Sequence, residues 1–329
     1  MAGRDEIAQA LWYVGPGRAE IREERLGAPA PGAVRVRAVH GALSRGTESL
    51  VAAGRVPESE FQRMRAPFMG GDFPFPVKYG YATAGRIEDG PRELVGRAVF
   101  TLHPHQTVFD LPVDAAVPLP DDVPTSRGVL AANMETALNA TWDAGIDAAP
   151  VGRVAVVGAG VVGALVGYLC GRMKGTEVTL VDINPARAAI ANAFGLRFAA
   201  PAVAPADCDL VVHTSATAAG LATALNLARE EATVLELSWY GAGTVPVPLG
   251  GAFHSRRLKL VSSQVGKVAP SHRADWTYRR RLEAAIALLA DPKLDVLLAP
   301  AVAFRELPAR LPDILGAKSG VLCQLIAYP

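Results

Sequence analysis

Val154–Leu169 reads VAVVGAGVVGALVGYL, a run of small β-branched residues that passes through Gly158, Gly160 and Gly163 into a helical pattern. The apolar run VAVV is what a parallel strand buried on both faces requires. Of the three glycines, the first permits a tight turn, the second leaves bare backbone for a pyrophosphate, and the third lets helix and strand pack closely. Val161 and Val162 open the helix, whose free N–H groups favour anionic phosphate. Nineteen positions after Gly163 stands Asp182, at the end of a second apolar run, Glu177–Val181 (EVTLV). A carboxylate there bonds both hydroxyls of an adenosine ribose and repels a 2′-phosphate, so the pattern points to NAD ahead of NADP. Arg187, five residues on, is a guanidinium that could welcome that phosphate or lie over the adenine, and both readings stay open.

Outward from this motif, further apolar runs at Leu210–His213, Thr233–Leu237 and Leu258–Ser262 alternate with helices expected to begin at Gly160, Pro185 and Ala218. Five strands with intervening helices predict an α/β fold built on a doubly wound parallel sheet. Ligands of such sheets bind at the carboxyl ends of the strands, which makes Thr214, Ser215, Ser238 and Trp239 candidate cofactor contacts. Residues 1–125 differ: short runs such as Ala33–Val39, Ala82–Ile87 and Arg97–Leu102, separated by Gly and Pro, predict an all-β unit. From Ser126 the spacing turns helical, stopping at Gly145, so residues 126–270 are read as the dinucleotide-binding domain. Residues 271–329 carry a polar stretch, a helix from about Trp276 to Leu289, and short strands near Leu297–Phe304 and Val321–Ala327 that return to the first domain.

The 33 basic and 32 acidic residues leave a net charge of +1 and no long basic face, so no nucleic-acid partner is expected. Arg279-Arg280-Arg281 and Arg256-Arg257, the densest basic spots, read as solvated faces. Cys170, Cys208 and Cys323 are isolated, which fits a reduced compartment. The amino terminus lacks a signal-peptide pattern and no apolar run is long enough to span a bilayer, so a soluble cytoplasmic protein acting on a small molecule is expected.

The segment Arg45-Gly46-Thr47-Glu48 with Gly54, then Lys78-Tyr79-Gly80-Tyr81, and the order of β unit, Rossmann unit and carboxyl-terminal return resemble the medium-chain dehydrogenase/reductase superfamily, that of the zinc alcohol dehydrogenases, over essentially the whole chain. The appearance is closest to the bacteriochlorophyllide dehydrogenase-like subgroup. The resemblance implies a GroES-like fold for the first domain, a cleft between domains where nicotinamide meets substrate, and a homodimer. It also implies three zinc-ligand positions, which fall on Arg45, Tyr81 and Ala132, and a structural zinc lobe between Gly85 and Arg97, where no cysteine occurs. Zinc needs three or four N, S or O ligands, so no metal is expected. His103 and His105 form a pair without a third ligand and read as exposed or core histidines.

Without a Lewis acid, side chains must manage the proton that accompanies hydride transfer. Thr47 falls on the superfamily's proton-relay hydroxyl. Tyr81 offers a phenol as acid or base, provided a nearby cation, Lys78 or Arg45, lowers its pKa. Glu135 is a candidate base or substrate-orienting acid, with dipole stabilisation of its helix as the alternative, and Thr136 is expected to line the nicotinamide half. Together these imply a zinc-independent NAD-dependent oxidoreductase acting on a secondary alcohol or ketone. The alternatives are an NADPH-dependent quinone or enoyl reductase, and a non-catalytic nucleotide-binding protein.

Overall fold

Strand-forming and helix-forming segments alternate from residue 153 to residue 262, and in the computed structural model, which describes residues 6–148 and 151–329, they form a parallel α/β sheet. The sheet has six strands in the order Arg197–Ala199, Glu177–Val181, Arg153–Val157, Cys208–His213, Ala228–Glu236 and Lys259–Ser262. The three-residue strand Arg197–Ala199 escapes sequence reading because it is too short to carry a period. Arg153–Val157 pairs with both Glu177–Val181 and Cys208–His213, so the winding direction reverses beside it. Val157, Val181, His213 and Glu236 lie level in register, which brings four strand ends to one rim at that reversal.

The core of this unit packs Val157, Val181, Val211 and Val234 against Leu221, Ala224 and Leu225 of the helix Ala218–Leu227. The helix Val161–Gly171 is buried along most of its length, as its unbroken apolar sequence demands. The compact unit runs Asn133–Ala285, so residues 271–285 belong with the parallel sheet and not with the carboxyl-terminal return. Arg281 shows why. Far from lying on a solvated face, it is 2 % exposed. Its Nε donates to Glu135 at 3.0 Å and its Nη1 to Asn139 Oδ1 at 2.6 Å, while further N–H groups reach the carbonyls of Lys267 (3.1 Å) and Val265 (2.6 Å). A buried guanidinium has to meet partners on several sides, and here they bind its helix to the helix Ala131–Asp143.

The other compact unit joins Met1–Ala132 with Ile286–Pro329. Its principal sheet has seven strands, in which Cys323–Ala327 pairs antiparallel with Ala33–Leu43, opposite residues 40–43. Val34, Val36, Ile87, Val99, Phe109 and Leu111 alternate inward from its strands to make one core. A second sheet is led by the hairpin Glu6–Gly15/Arg18–Leu26. The second arm of that hairpin, RAEIREERL, is too charged to announce itself as a strand. Among the described residues no helix is long and apolar enough to cross a membrane.

Candidate functional site

The glycine turn has the geometry its sequence predicts. Gly158 adopts φ +105, which a side chain would strain, and a Cβ there would lie 2.7 Å from Ser215 N. At Gly163 a Cβ would collide with the Gly158 carbonyl and Thr214 Oγ1, whereas a Cβ at Gly160 would meet no described residue beyond its chain neighbours within 4 Å. Two glycines are thus demanded by the chain's own packing. The third faces open space at the start of the helix Val161–Gly171, where an approaching pyrophosphate would need it. The Thr214 hydroxyl donates to Gly158 O at 2.7 Å and fixes the turn.

Asp182 follows the strand Glu177–Val181. Its Oδ2 accepts from Ala159 N at 2.7 Å and its Oδ1 from Asn184 N at 2.8 Å, so the carboxylate is aimed by the glycine turn itself. Each oxygen keeps a further lone pair for a ribose hydroxyl. Arg187 ends the short turn Pro185–Arg187.

Beside the turn, the strand ends join Ser215 and Ser238, expected from the sequence to meet the cofactor, to His213 and Glu236, for which the sequence suggested no role. His213, fully buried, places Nδ1 2.7 Å from Glu236 Oε2 and Nε2 2.7 Å from Ser215 Oγ. A neutral ring that donates from Nδ1 to the carboxylate leaves Nε2 to accept from the serine hydroxyl. Glu236 also accepts from Ser238 N at 2.7 Å and from the Tyr240 hydroxyl at 3.0 Å. Burial raises its pKa, but the bonds from His213 and Ser238 outweigh burial and hold it below the ordinary value. The hydroxyl of Ser238 accepts from Ala216 N at 3.1 Å. Trp239 is half-buried. The available signal was a carboxylate and an imidazole at the ends of otherwise apolar strands, Glu236 in TVLEL and His213 in LVVH.

In the β unit the half-buried Tyr81 donates to Ser44 Oγ at 2.6 Å. Burial pushes its phenol up to about 12 against the downward pull of the Ser44 and Thr47 hydroxyls. The sequence expectation of a phenol acidified by a cation is therefore corrected. The expected cations are occupied elsewhere. Lys78 Nζ sits 2.8 Å from Glu24 Oε2 and 2.9 Å from Gln106 Oε1. Arg45 donates to the carbonyls of Val321 and, at 3.1 Å, Gly316. Glu135 is likewise taken up, by Arg281, and its pKa is raised by burial despite that partner. Thr136, on the same helix, is half-buried.

Below Tyr81, Glu48 is fully buried and accepts from Tyr13 OH at 2.8 Å, His105 Nε2 at 2.9 Å and Ser44 N at 2.7 Å. Ser44 is thereby anchored by its main chain to one group while its hydroxyl meets another. His103 stacks on Phe109 at 3.7 Å and burial lowers its pKa to about 3, so the two histidines serve separate parts of the core. The zinc implied by the resemblance does not fit the residues present: a guanidinium, a phenol and a methyl group occupy its ligand positions. Among the described residues no group of three His, Cys, Asp or Glu is placed to hold a metal.

No family model and no curated protein matches the chain. Solved structures do. L-idonate 5-dehydrogenase from Escherichia coli K-12 superposes with a TM-score of 0.80 at 13% identity, with 100% of each chain covered. An alcohol dehydrogenase from E. coli CFT073, complexed with NADH, gives 0.76 at 15%, covering 98% of this chain and 99% of its own. A putative zinc-binding dehydrogenase from Sinorhizobium meliloti bound to NADP gives 0.73 at 16%, covering 98% and 99%. The chain has the fold of these dehydrogenases, a GroES-like domain with a Rossmann domain.

Proposed function

We propose that the chain is an NAD-dependent oxidoreductase that works without zinc and transfers a hydride between nicotinamide and a secondary alcohol or its ketone. The observation that carries the reading is the turn at Gly158–Gly163. Its one glycine without a packing need is the one a pyrophosphate requires, and the turn's own Ala159 N–H aims Asp182. The carboxylate favours NAD, because a 2′-phosphate beside it would be repelled.

Bound nicotinamide supplies or accepts the hydride. The chain must manage the oxygen left behind. Tyr81 stays protonated at neutral pH, since its phenol lies near 12, and so serves as an acid toward a developing alkoxide. Ser44, whose hydroxyl can rotate to donate to the phenol oxygen, replaces the proton. Thr47 adds a second hydroxyl to that oxygen's surroundings. A phenol held protonated at neutral pH is ready to give a proton and has little tyrosinate with which to take one, which suits it to carbonyl reduction.

The test is NADH absorbance against a panel of ketones and alcohols, with and without chelator. Carbonyl reduction indifferent to chelator is expected, with Tyr81→Phe lowering kcat by about 10²-fold or more. Activity abolished by chelator and restored by zinc would refute the metal-free part. Calorimetry supplies the independent arm: Gly160→Ala should keep the fold and lose NAD, whereas Gly163→Ala should damage folding itself.

A further inference from the structure

The polar stretch after Pro270 builds a feature that the proposed reaction does not use. An open surface groove of about 560 Å³ is lined by Lys267, Val268, Arg273, Trp276, Thr277 and Tyr278, with Val268 buried at its floor, Trp276 half-buried and the other four exposed. That volume suits an organic small molecule rather than an ion. Two of its six lining residues are cations and none is an acid. Among the described residues the Lys267 ammonium has no ion-pair partner. Arg273 spends Nε on Val268 O at 2.7 Å and lies within electrostatic reach of Asp143, while among the described residues its two Nη groups have no hydrogen-bond acceptor.

The walls are held in place. Trp142 stacks on His272 at 4.2 Å and meets Trp276 at 4.7 Å, fixing the indole from behind. The Arg280 guanidinium lies 4.4 Å over the Trp276 ring. Tyr278 OH donates to Gly266 O at 3.1 Å, and buried Arg281 grips the carbonyls of Val265 and Lys267. Asn139 Oδ1 completes the frame by accepting from Ala269 N at 3.0 Å. The segment that carries Lys267 is therefore pinned at both ends, although it belongs to no strand or helix.

From this geometry we infer a binding site for an aromatic carboxylate, its ring among Val268, Trp276 and Tyr278 and its carboxylate between Lys267 and Arg273. A rigid aromatic wall recognises the flat body, and the cations recognise the charge. The inference stands independently of the oxidoreductase reading, because its test needs neither coenzyme nor turnover.

Calorimetric titration of the full chain with 2-naphthoate, 2-naphthamide and inorganic phosphate tests it. Saturable binding of 2-naphthoate is expected, with the neutral amide and phosphate each at least about 10-fold weaker. Lys267→Ala, which removes no anchoring bond, should weaken 2-naphthoate by a similar factor. Thr277→Trp, which lays an indole across the groove and leaves both cations in place, should abolish binding. No saturable binding of 2-naphthoate, equal binding of the amide or of phosphate, or unchanged affinity in both variants would each overturn the inference.

Discussion

Two carboxylates in this molecule have almost the same partners and opposite surroundings. Glu48 in the β unit accepts from an imidazole, a tyrosine hydroxyl and a serine main-chain N–H, at 2.9, 2.8 and 2.7 Å. Glu236 in the parallel-sheet unit accepts from the same three kinds of donor, at 2.7, 3.0 and 2.7 Å. The difference lies in what stands beyond them. Glu48 and His105 are wholly enclosed, and among the described residues the far nitrogen of His105 has no hydrogen-bond partner. The Glu236 side chain is 14% exposed, and the far nitrogen of His213 reaches Ser215 on the rim where the strands end. The same donor set is sealed in one unit and reaches the rim of the sheet in the other. Donor type alone does not separate the two.

The sharpest way to break that contrast is to remove both carboxylates in turn. Glu48→Ala leaves a tyrosine, a histidine and a main-chain N–H unsatisfied in a dry interior and should cost about 3–5 kcal/mol in urea unfolding. Glu236→Ala sits where water can enter and should cost only about 1–3 kcal/mol, while NAD affinity measured by calorimetry falls by roughly 10-fold. Equal losses of stability from the two substitutions would erase the distinction drawn here.

A smaller effect sharpens the sealed side. Burial, and then Glu48, raise the Tyr13 phenol well above 10.0. The unfolded chain therefore releases this proton first as pH rises. The stability associated with Tyr13 is complete below pH 10 and lost as pH climbs toward the folded value, at up to about 1.4 kcal/mol per pH unit. Urea midpoints taken from pH 9 to 11 should fall more steeply in the native chain than in Tyr13→Phe.

How much of this was legible in advance follows from the range of each interaction. The glycine turn, Asp182 and the alternation of strands with helices are local patterns, and they were readable because their spacing is their meaning. The hairpin Glu6–Gly15/Arg18–Leu26 was not, since its second strand earns its place by pairing rather than by periodicity. Side-chain destinations were the least visible. Lys78 finds Glu24, 54 positions away, and Arg281 finds Glu135, 146 positions away, and no spacing rule reaches so far. Arg281 also shows the hazard of reading charge runs: it stands in a row of three arginines and is the one at their centre of packing, although its neighbours face solvent or half-face it.

The arginine at position 45 has a consequence of its own. Where the resemblance expects a thiolate, this chain has a guanidinium that ties the start of the helix Arg45–Ala52 to the backbone around residues 316 and 321. Placing a cysteine at that position would cut the tie without assembling a zinc centre, because Tyr81 and Ala132 would offer nothing to the metal. The guanidinium clasps the far end of the polypeptide to the first turn of that helix, so position 45 holds together two stretches about 270 residues apart in sequence.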